Sequence, residues 1–480
     1  MSEGTQTCQT KKLMIQRPKD PVGPQINDVG FADHVYIQAA AIFQNSHVEK
    51  PEDQKLVDYG KKGNIWMPEE RDEESCLLAY ELAFNSLKYQ DLLESIIACC
   101  MVISYSVPED LMSLVVVMLF DFQDRKFVKR RRLQREKLPD VFTVEDCLFR
   151  FKTKLAASLA RIRIKFNLLN IEYVLPEIVK QRQKRAKSLL LYAWVNTQKT
   201  SLEDVKGSLT SEGFSEASSD KPCSLPVNAA RTVLSQDTCV LMTGCFSALT
   251  VAHMAAVAST CSANVLVCES REARRKELRN VLLKMACTNV EVIPRNFLDL
   301  DPMEDELVRV SVILMMPQCS LSAVSNPVEF IATEKRDMDL LQDLSRGSIS
   351  QGRLNNLVAC QKQEIKHALK VPKSTALVYS TWSSYSEENE KVVQMAVGSK
   401  SQIYRLSATG LALGSQDNLE DTKDIFVLEA SAESNGGFVS VMTRVGASVT
   451  TPGIPQTPTT APSINKAQSQ KPAGKRKKRR

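Results

Sequence analysis

The sequence has little of what builds metal centres or disulfide frameworks. Its 480 residues include only four His, and its thirteen Cys are an odd number. None of them form a Cys-x-x-Cys pair, and only Cys99-Cys100 are adjacent. A zinc site therefore has almost no support, and reduced thiols in an intracellular protein are the simplest reading. No apolar run reaches the roughly 18 residues needed to span a bilayer. Met1 to Arg17 is polar and lacks the apolar core of a secretion signal. What is present is the balance of a globular chain, 43% hydrophobic and 25% charged, in a length that suggests two or three domains.

The net charge of +6 is a sum of unlike parts. Residues 471–480 carry seven Lys/Arg and no acid, a local +7. Residues 121–190 carry 19 Lys/Arg against 8 Asp/Glu, a local +11, which leaves the rest of the chain at −12. Such segregation favours polyanion contact at defined places. The block opens with Arg125, Lys126, Lys129, Arg130, Arg131 and Arg132 and runs through Lys152, Lys154, Arg161, Arg163 and Lys165 to Lys187. A single charge run reads equally well as a solvated helix face. Recurrence over some 60 residues, mixed with Phe149, Phe151 and Phe166, favours a phosphate-facing surface.

Before that block, Cys76 to Cys100 and Leu111 to Phe120 show a helical period. From about residue 238, short apolar runs alternate with helical segments. The expected strands are Thr238–Thr243, Asn264–Cys268, Asn289–Ile293, Val310–Met316, Ala376–Thr381, and a closing pair near Asp424–Leu428 and Gly437–Met442. Apolar strands separated by helices imply a mostly parallel sheet covered on both faces. Residues 446–470, rich in Thr, Pro, Ser and Gln, read as a disordered linker to the basic tip.

In such a sheet ligands bind at the carboxyl ends of the strands. Glu269 ends the second strand, where an acid can grip two ribose hydroxyls, or can simply be a solvated strand-end acid. The first turn, Met242 to Thr250, holds one glycine, Gly244, and no acid, so it is a poor phosphate or nucleoside cradle.

Five ordered strings carry a resemblance: Asn196-Thr197-Gln198-Lys199-Thr200 before Glu212-Gly213-Phe214; Pro317-Gln318-Cys319-Ser320; Arg353-Leu354 to Gln363; Tyr379-Ser380-Thr381-Trp382-Ser383; and Gly437-Phe438-Val439. Over roughly residues 190–443 the chain resembles the Sun-domain (Nop/Sun) family of RNA cytosine-5 methyltransferases, most of all its divergent seventh member. The resemblance implies an α/β, Rossmann-like S-adenosylmethionine-dependent methyltransferase domain preceded by a helical N-terminal domain. Composition and periodicity suggest a flexible leader at 1–30 and a helical basic domain at 31–190, and the resemblance adds a shortened RNA-facing linker at 191–230. The methyltransferase domain would follow at 231–443, with a disordered linker and basic tail at 444–480.

In that family a Cys thiolate adds to carbon 6 of cytosine and a second Cys assists release, chemistry that needs a strong nucleophile able to leave. By the resemblance, Trp382 stands at the nucleophile's place and an indole cannot add to a pyrimidine. The second Cys is retained as Cys319, either an inert buried thiol or a replacement nucleophile. The acid expected to contact the base is Met316, and the glycine expected after Cys-Ser is Leu321. The family's first motif falls on Met242, Gly244, Ser247, Ala248 and Thr250. Glu269 matches the ribose-binding acid, while Asn296 replaces the adenine-contacting Asp. S-adenosylmethionine binding is thus open between retained and lost, and no metal is implied.

His253, on the first helix of the fold, reads as packing. Glu387, Glu388 and Glu390 read as caps of the helix after the fifth strand. Candidate RNA contacts are Arg130, Arg131, Arg132 and Lys199. The expected partner is RNA, with protein partners open and no membrane. The basic tail favours nuclear location. Three functions compete: an RNA-binding pseudoenzyme with eroded motifs, an active methyltransferase using Cys319, and a protein-binding scaffold on the same fold.

Overall fold

The computed structural model describes residues 12–16, 30–60, 73–100, 102–131, 138–189, 191–196, 199–212, 215–216, 224–334, 340–398, 404–407, 409 and 424–446. The first half of the described chain is helical: Asp33–Ser46, Glu73–Lys88, Gln90–Ala98, Met112–Asp124, Pro139–Arg150, Lys152–Lys165 and Glu177–Ala186. The single helical stretch expected at 76–100 is broken at Tyr89, whose ring stacks on Phe120 at 5.6 Å. Met112–Asp124 buries Leu114, Val115, Val116, Val117 and Leu119 all round, as a central helix must.

Three short strands, β1 (Lys12–Gln16), β2 (Leu191–Trp194) and β3 (Ser215–Glu216), form an antiparallel sheet in the order β2-β1-β3. The leader expected at 1–30 therefore contains a strand: Leu13-Met14-Ile15 is a short apolar run that composition alone does not mark.

The remaining strands are β4 (Cys239–Gly244), β5 (Asn264–Cys268), β6 (Val290–Ile293), β7 (Val312–Met316), β8 (Ala376–Thr381), β9 (Tyr404–Ser407), β10 (Ile425–Leu428) and β11 (Gly437–Arg444). They form one eight-stranded sheet in the order β10-β11-β8-β7-β4-β5-β6, with β9 also on β11. Strands β4 to β8 pair in parallel, and β11 runs antiparallel to β8 and β10. β9 pairs with Val441 to Arg444 and β10 with Gly437 to Ser440, so the edge strand is one line interrupted between residues 407 and 425. The expected Rossmann-like, doubly wound sheet is thus present.

Central strands are buried on both faces, and their side chains divide between two cores. Val240, Met242, Leu314 and Val378 pack with helices Leu225–Arg231, Ala248–Ser259 and Glu272–Lys284. Leu241, Ile313, Leu377 and Tyr379 pack with Gln351–Ala368 and Glu390–Val397. A third core joins the N-terminal helices to Cys319, Leu321, Val324 and Val328 in the loop after β7. The helical half is therefore seated on the loop that the resemblance assigns to catalysis.

Candidate methyl-transfer site

The strand order reverses between β4 and β7, which places a crevice at their carboxyl ends. Gly244, at the end of β4, has φ +104, and a Cβ there would lie 2.0 Å from the Met316 carbonyl oxygen. The Cys245 N–H donates to that same oxygen at 2.6 Å. Glycine is required because the turn passes directly over the end of β7. Ser247 then caps helix Ala248–Ser259 by accepting the Thr250 N–H at 3.1 Å.

Glu269 sits just beyond β5, but its carboxylate is already engaged. Arg271 donates to Oε1 from its backbone N–H at 2.9 Å and from Nε at 3.0 Å, and to Oε2 from Nη2 at 3.1 Å. Arg274 Nε lies 3.6 Å from Oε2. Burial pushes the Glu269 carboxyl up, but the Arg271 hydrogen bonds and the two guanidinium charges outweigh this and hold it below the ordinary range. Asn296 Nδ2 donates to Asp299 at 3.1 Å, and Met316 is 3% exposed, an apolar side chain where the resemblance expects an acid.

The two positions that the resemblance assigns to cysteines, 319 and 382, meet at the ends of β7 and β8. The Trp382 N–H donates to Cys319 Sγ at 3.4 Å, and Cys319 is fully buried. The Trp382 ring is half-buried against Phe330, with centroids 5.2 Å apart and planes at 69°. Leu321 adopts a left-handed backbone, φ 54, of the kind that favours glycine, while its side chain is fully buried in the third core.

Sequence reasoning missed what holds these loops together. Glu388 does not cap the following helix: it is fully buried and joins the loops after β7 and β8. Its carboxylate accepts the Ser320 N–H at 3.0 Å, the Ser320 hydroxyl at 2.6 Å, Gln361 Nε2 at 2.9 Å, and the Ser383 hydroxyl. Glu387 instead pairs with Lys391 at 2.5 Å on the surface. The available signal was the largely polar run Ser383 to Asn389 soon after the apolar Ala376-Leu377-Val378, since buried polar side chains need one another. One turn on from Gln361, Glu364 has a buried Oε2 without a hydrogen-bond partner, and desolvation lifts its carboxyl to about 7. His253 is buried, its ring stacked 4.6 Å from that of Trp194.

The RNA candidates separate. Arg130 is a structural residue: it donates to Asp33 at 2.6 Å, Glu145 at 3.0 Å and the Phe31 carbonyl at 2.7 Å, with its side chain 3% exposed. Its reading as an RNA contact is overturned by those two buried acids. Arg131 is exposed, and Arg132 lies outside the described residues. Lys199 is exposed and caps the Lys284 carbonyl at 2.5 Å. Lys152, Lys154, Arg161, Arg163 and Lys165 are exposed on helix Lys152–Lys165, followed by exposed Phe166. The basic tail and Phe214 lie outside the described residues. Among the described residues no His/Cys/Asp/Glu group could hold a metal, and no helix is long and apolar enough to cross a membrane.

The strand order, with crevice loops after β4, β5, β7 and β8, defines a Rossmann-like methyltransferase fold. Human NSUN7 is 38% identical over 86% of this chain, and the mouse protein of that name is equally similar. The 25S rRNA (cytosine-C(5))-methyltransferase rcm1 of Schizosaccharomyces pombe is 24% identical over 65% of the chain and 71% of its own length. By these matches the chain is similar to the Sun-domain methyltransferases. It spans 65% of the length of human NSUN7 and 64% of the mouse protein. No family model matches the chain. Among solved structures, a methyltransferase homologue from Pyrococcus horikoshii aligns with 52% of this chain and 85% of its own at TM-score 0.39 and 17% identity.

Proposed function

We propose that this chain is an RNA-contacting member of its family in which methyl transfer is weak or silent. The observation that carries this reading is the pairing at the ends of β7 and β8: the retained Cys319 is fully buried, and the backbone N–H of Trp382 donates to its sulfur. A nucleophile must reach carbon 6 of an extruded base, and this thiol has no exposed surface from which to do so. The cofactor residues point the same way. Glu269 spends its carboxylate on Arg271 and Arg274, Asn296 spends its amide on Asp299, and Met316 offers no polar atom to a base. The residues present do not fit S-adenosylmethionine.

RNA contact rests on the five exposed cations of helix Lys152–Lys165, three of which neighbour aromatic rings: Lys152 over Phe149 at 4.8 Å, Lys154 over Phe151 at 5.7 Å and Lys165 over Phe166 at 5.3 Å. Cations fix phosphates, and exposed rings stack on unpaired bases. Location in the nucleus, drawn from the basic tail, belongs to the same proposal.

RNA containing 5-azacytidine traps a covalent adduct on an active family nucleophile. No adduct is expected here, and one that disappears in Cys319→Ser would establish the active alternative. Calorimetry with S-adenosylmethionine is expected to show nothing tighter than roughly 100 micromolar, about −5.5 kcal/mol. Reversing Lys154, Arg161 and Lys165 to Glu should weaken RNA binding and flatten its salt dependence, the slope falling by about one for each phosphate no longer neutralised. Unchanged binding would instead favour a scaffold that contacts protein.

A further inference from the structure

The helical half pairs two of its buried arginines with acids. Arg130 takes Asp33 and Glu145, and Arg125 takes Asp121 at 2.7 Å. Two other cations are treated differently. Arg182, on helix Glu177–Ala186, is 4% exposed and donates only to two backbone carbonyls, those of Leu344 and Ser322, each at 3.2 Å. Its Nε is buried with no partner. Lys88, the last residue of helix Glu73–Lys88, donates to Gln183 at 3.1 Å and lies over the Phe84 ring at 5.3 Å. Among the described residues no carboxylate is within ion-pair reach of either cation.

Both side chains line one cavity of about 430 Å³ between the helical half and the segment beginning at Ser325. Exposed Lys187 stands on the same lining, Ser325 and Asn326 add polar groups, and Glu81 is its one acid. We propose that this cavity is an anion site that takes a phosphate group, held by Lys88, Arg182 and Lys187. An unpaired buried cation is costly, and Arg125 and Arg130 in the same helical half are relieved of that cost by carboxylates that Arg182 lacks. A guanidinium with free donors and an ammonium converging from two helices match a tetrahedral oxyanion in charge and in hydrogen bonds. Burial pushes the Lys88 ammonium down to about 8 and the Arg182 guanidinium down to about 10, so both gain from an arriving negative charge. The cavity also touches the loop after β7, since Arg182 holds the Ser322 carbonyl three residues beyond Cys319.

The phosphate could belong to an RNA backbone or to a free phosphorylated compound, and the site is independent of whether helix Lys152–Lys165 binds RNA. The test uses the full chain, with inorganic phosphate against chloride at equal ionic strength, read by thermal unfolding. Phosphate is expected to raise the melting temperature of the wild type beyond chloride by mass action. Lys88→Met keeps the aliphatic stem on Phe84. It should melt no lower than the wild type without phosphate, yet bind phosphate at least tenfold more weakly. Lys187→Met, at the rim, should weaken it about threefold and serves if Lys88→Met does not fold. A second arm titrates a single-stranded RNA oligonucleotide. Weaker binding by Lys88→Met, with a salt slope lower by about one, assigns the phosphate to RNA. Unchanged RNA binding with lost phosphate protection assigns it to a free compound. The proposal is overturned if phosphate gives the wild type nothing beyond chloride, or if the folded variants keep the full response.

Discussion

Two corners of the same sheet edge can be set side by side: the methyl-donor corner after β4 and β5, and the nucleophile corner after β7 and β8. The donor corner keeps backbone shape. Gly244 still turns over Met316, and Glu269 still stands at the strand end, but its carboxylate is tied to neighbouring arginines. The nucleophile corner is filled with packed side chains. Trp382, Leu321 and Cys319 join a core shared with the helical half, and Glu388 ties the two loops together. On the function proposed above, the comparison teaches that a site can give up its chemistry in two ways, by packing or by self-pairing. The two should differ in how much stability each corner now carries.

The largest expected effect is at Glu388. Replacing it with Ala removes an acceptor from the Ser320 N–H, two serine hydroxyls and Gln361, all in a fully buried site. Stranding at least two of these buried donors, at about 1–3 kcal/mol each, costs about 2–5 kcal/mol, read from urea unfolding. A loss below about 1 kcal/mol would mean that the nucleophile corner is not braced, and the contrast between the corners would fall.

How much of this was legible depended on whether a residue's role is local. The parallel strands were, because a strand buried on both faces must be a short apolar run. Asn264–Cys268 and Ala376–Thr381 have the boundaries their sequences suggest. β9 was missed, a four-residue edge strand with an exposed Arg405, and so was β1. Charges were legible as charges but carried no address. Arg130 and Arg131 are adjacent in one basic run, yet only the first meets Asp33 and Glu145, and nothing local separates them. Glu388 stands in an acidic run that reads as a helix cap, and its donors come from Ser320, 68 residues away, and Gln361, 27 away. The resemblance located both corners of the site, but residue identities alone could not distinguish a packed corner from a self-paired one.

Glu364 sharpens the packed side of the comparison. Its folded carboxyl titrates at about 7, raised by desolvation from an ordinary 4.5. Between those values the folded chain holds a proton that the unfolded chain has released. Stability therefore falls as pH rises through that window, and the full penalty applies above about 7. Glu364→Gln should be more stable than the parent at pH 8 by on the order of 2–3 kcal/mol, with the gain nearly gone at pH 4.5. Equal gains at both pH values would show that burial of the carboxyl is not the cause.

On the donor side, Gly244→Ala tests whether backbone shape still matters where the side-chain chemistry has been replaced. A methyl group would collide with the Met316 carbonyl while φ stays at +104, so β4 and β7 must separate locally. A loss of about 2 kcal/mol in denaturant unfolding is expected, smaller than at Glu388 because one strained residue is involved and no group of buried donors is stranded. A neutral result would mean that the turn is free to move and that the donor corner has no preserved shape.

The smallest effect belongs to Glu269. Its carboxylate is mostly buried, but the Arg271 side chain that holds it is 60% exposed, so solvent screens most of the attraction. Because the folded carboxyl lies below its ordinary value, the contribution is complete above that value and is lost as pH falls through the lowered one. Glu269→Gln should therefore cost no more than about 1 kcal/mol at pH 7, with the difference vanishing in acid. Calorimetry on the same variant supplies the sharper reading. A carboxylate gripping a ribose would, on removal, abolish nucleoside binding while barely moving stability. A self-paired one leaves the calorimetric trace of S-adenosylmethionine as flat as in the parent. If the parent binds and the variant does not, Glu269 exchanges Arg271 for a ligand, and the donor corner is a closed site rather than a spent one.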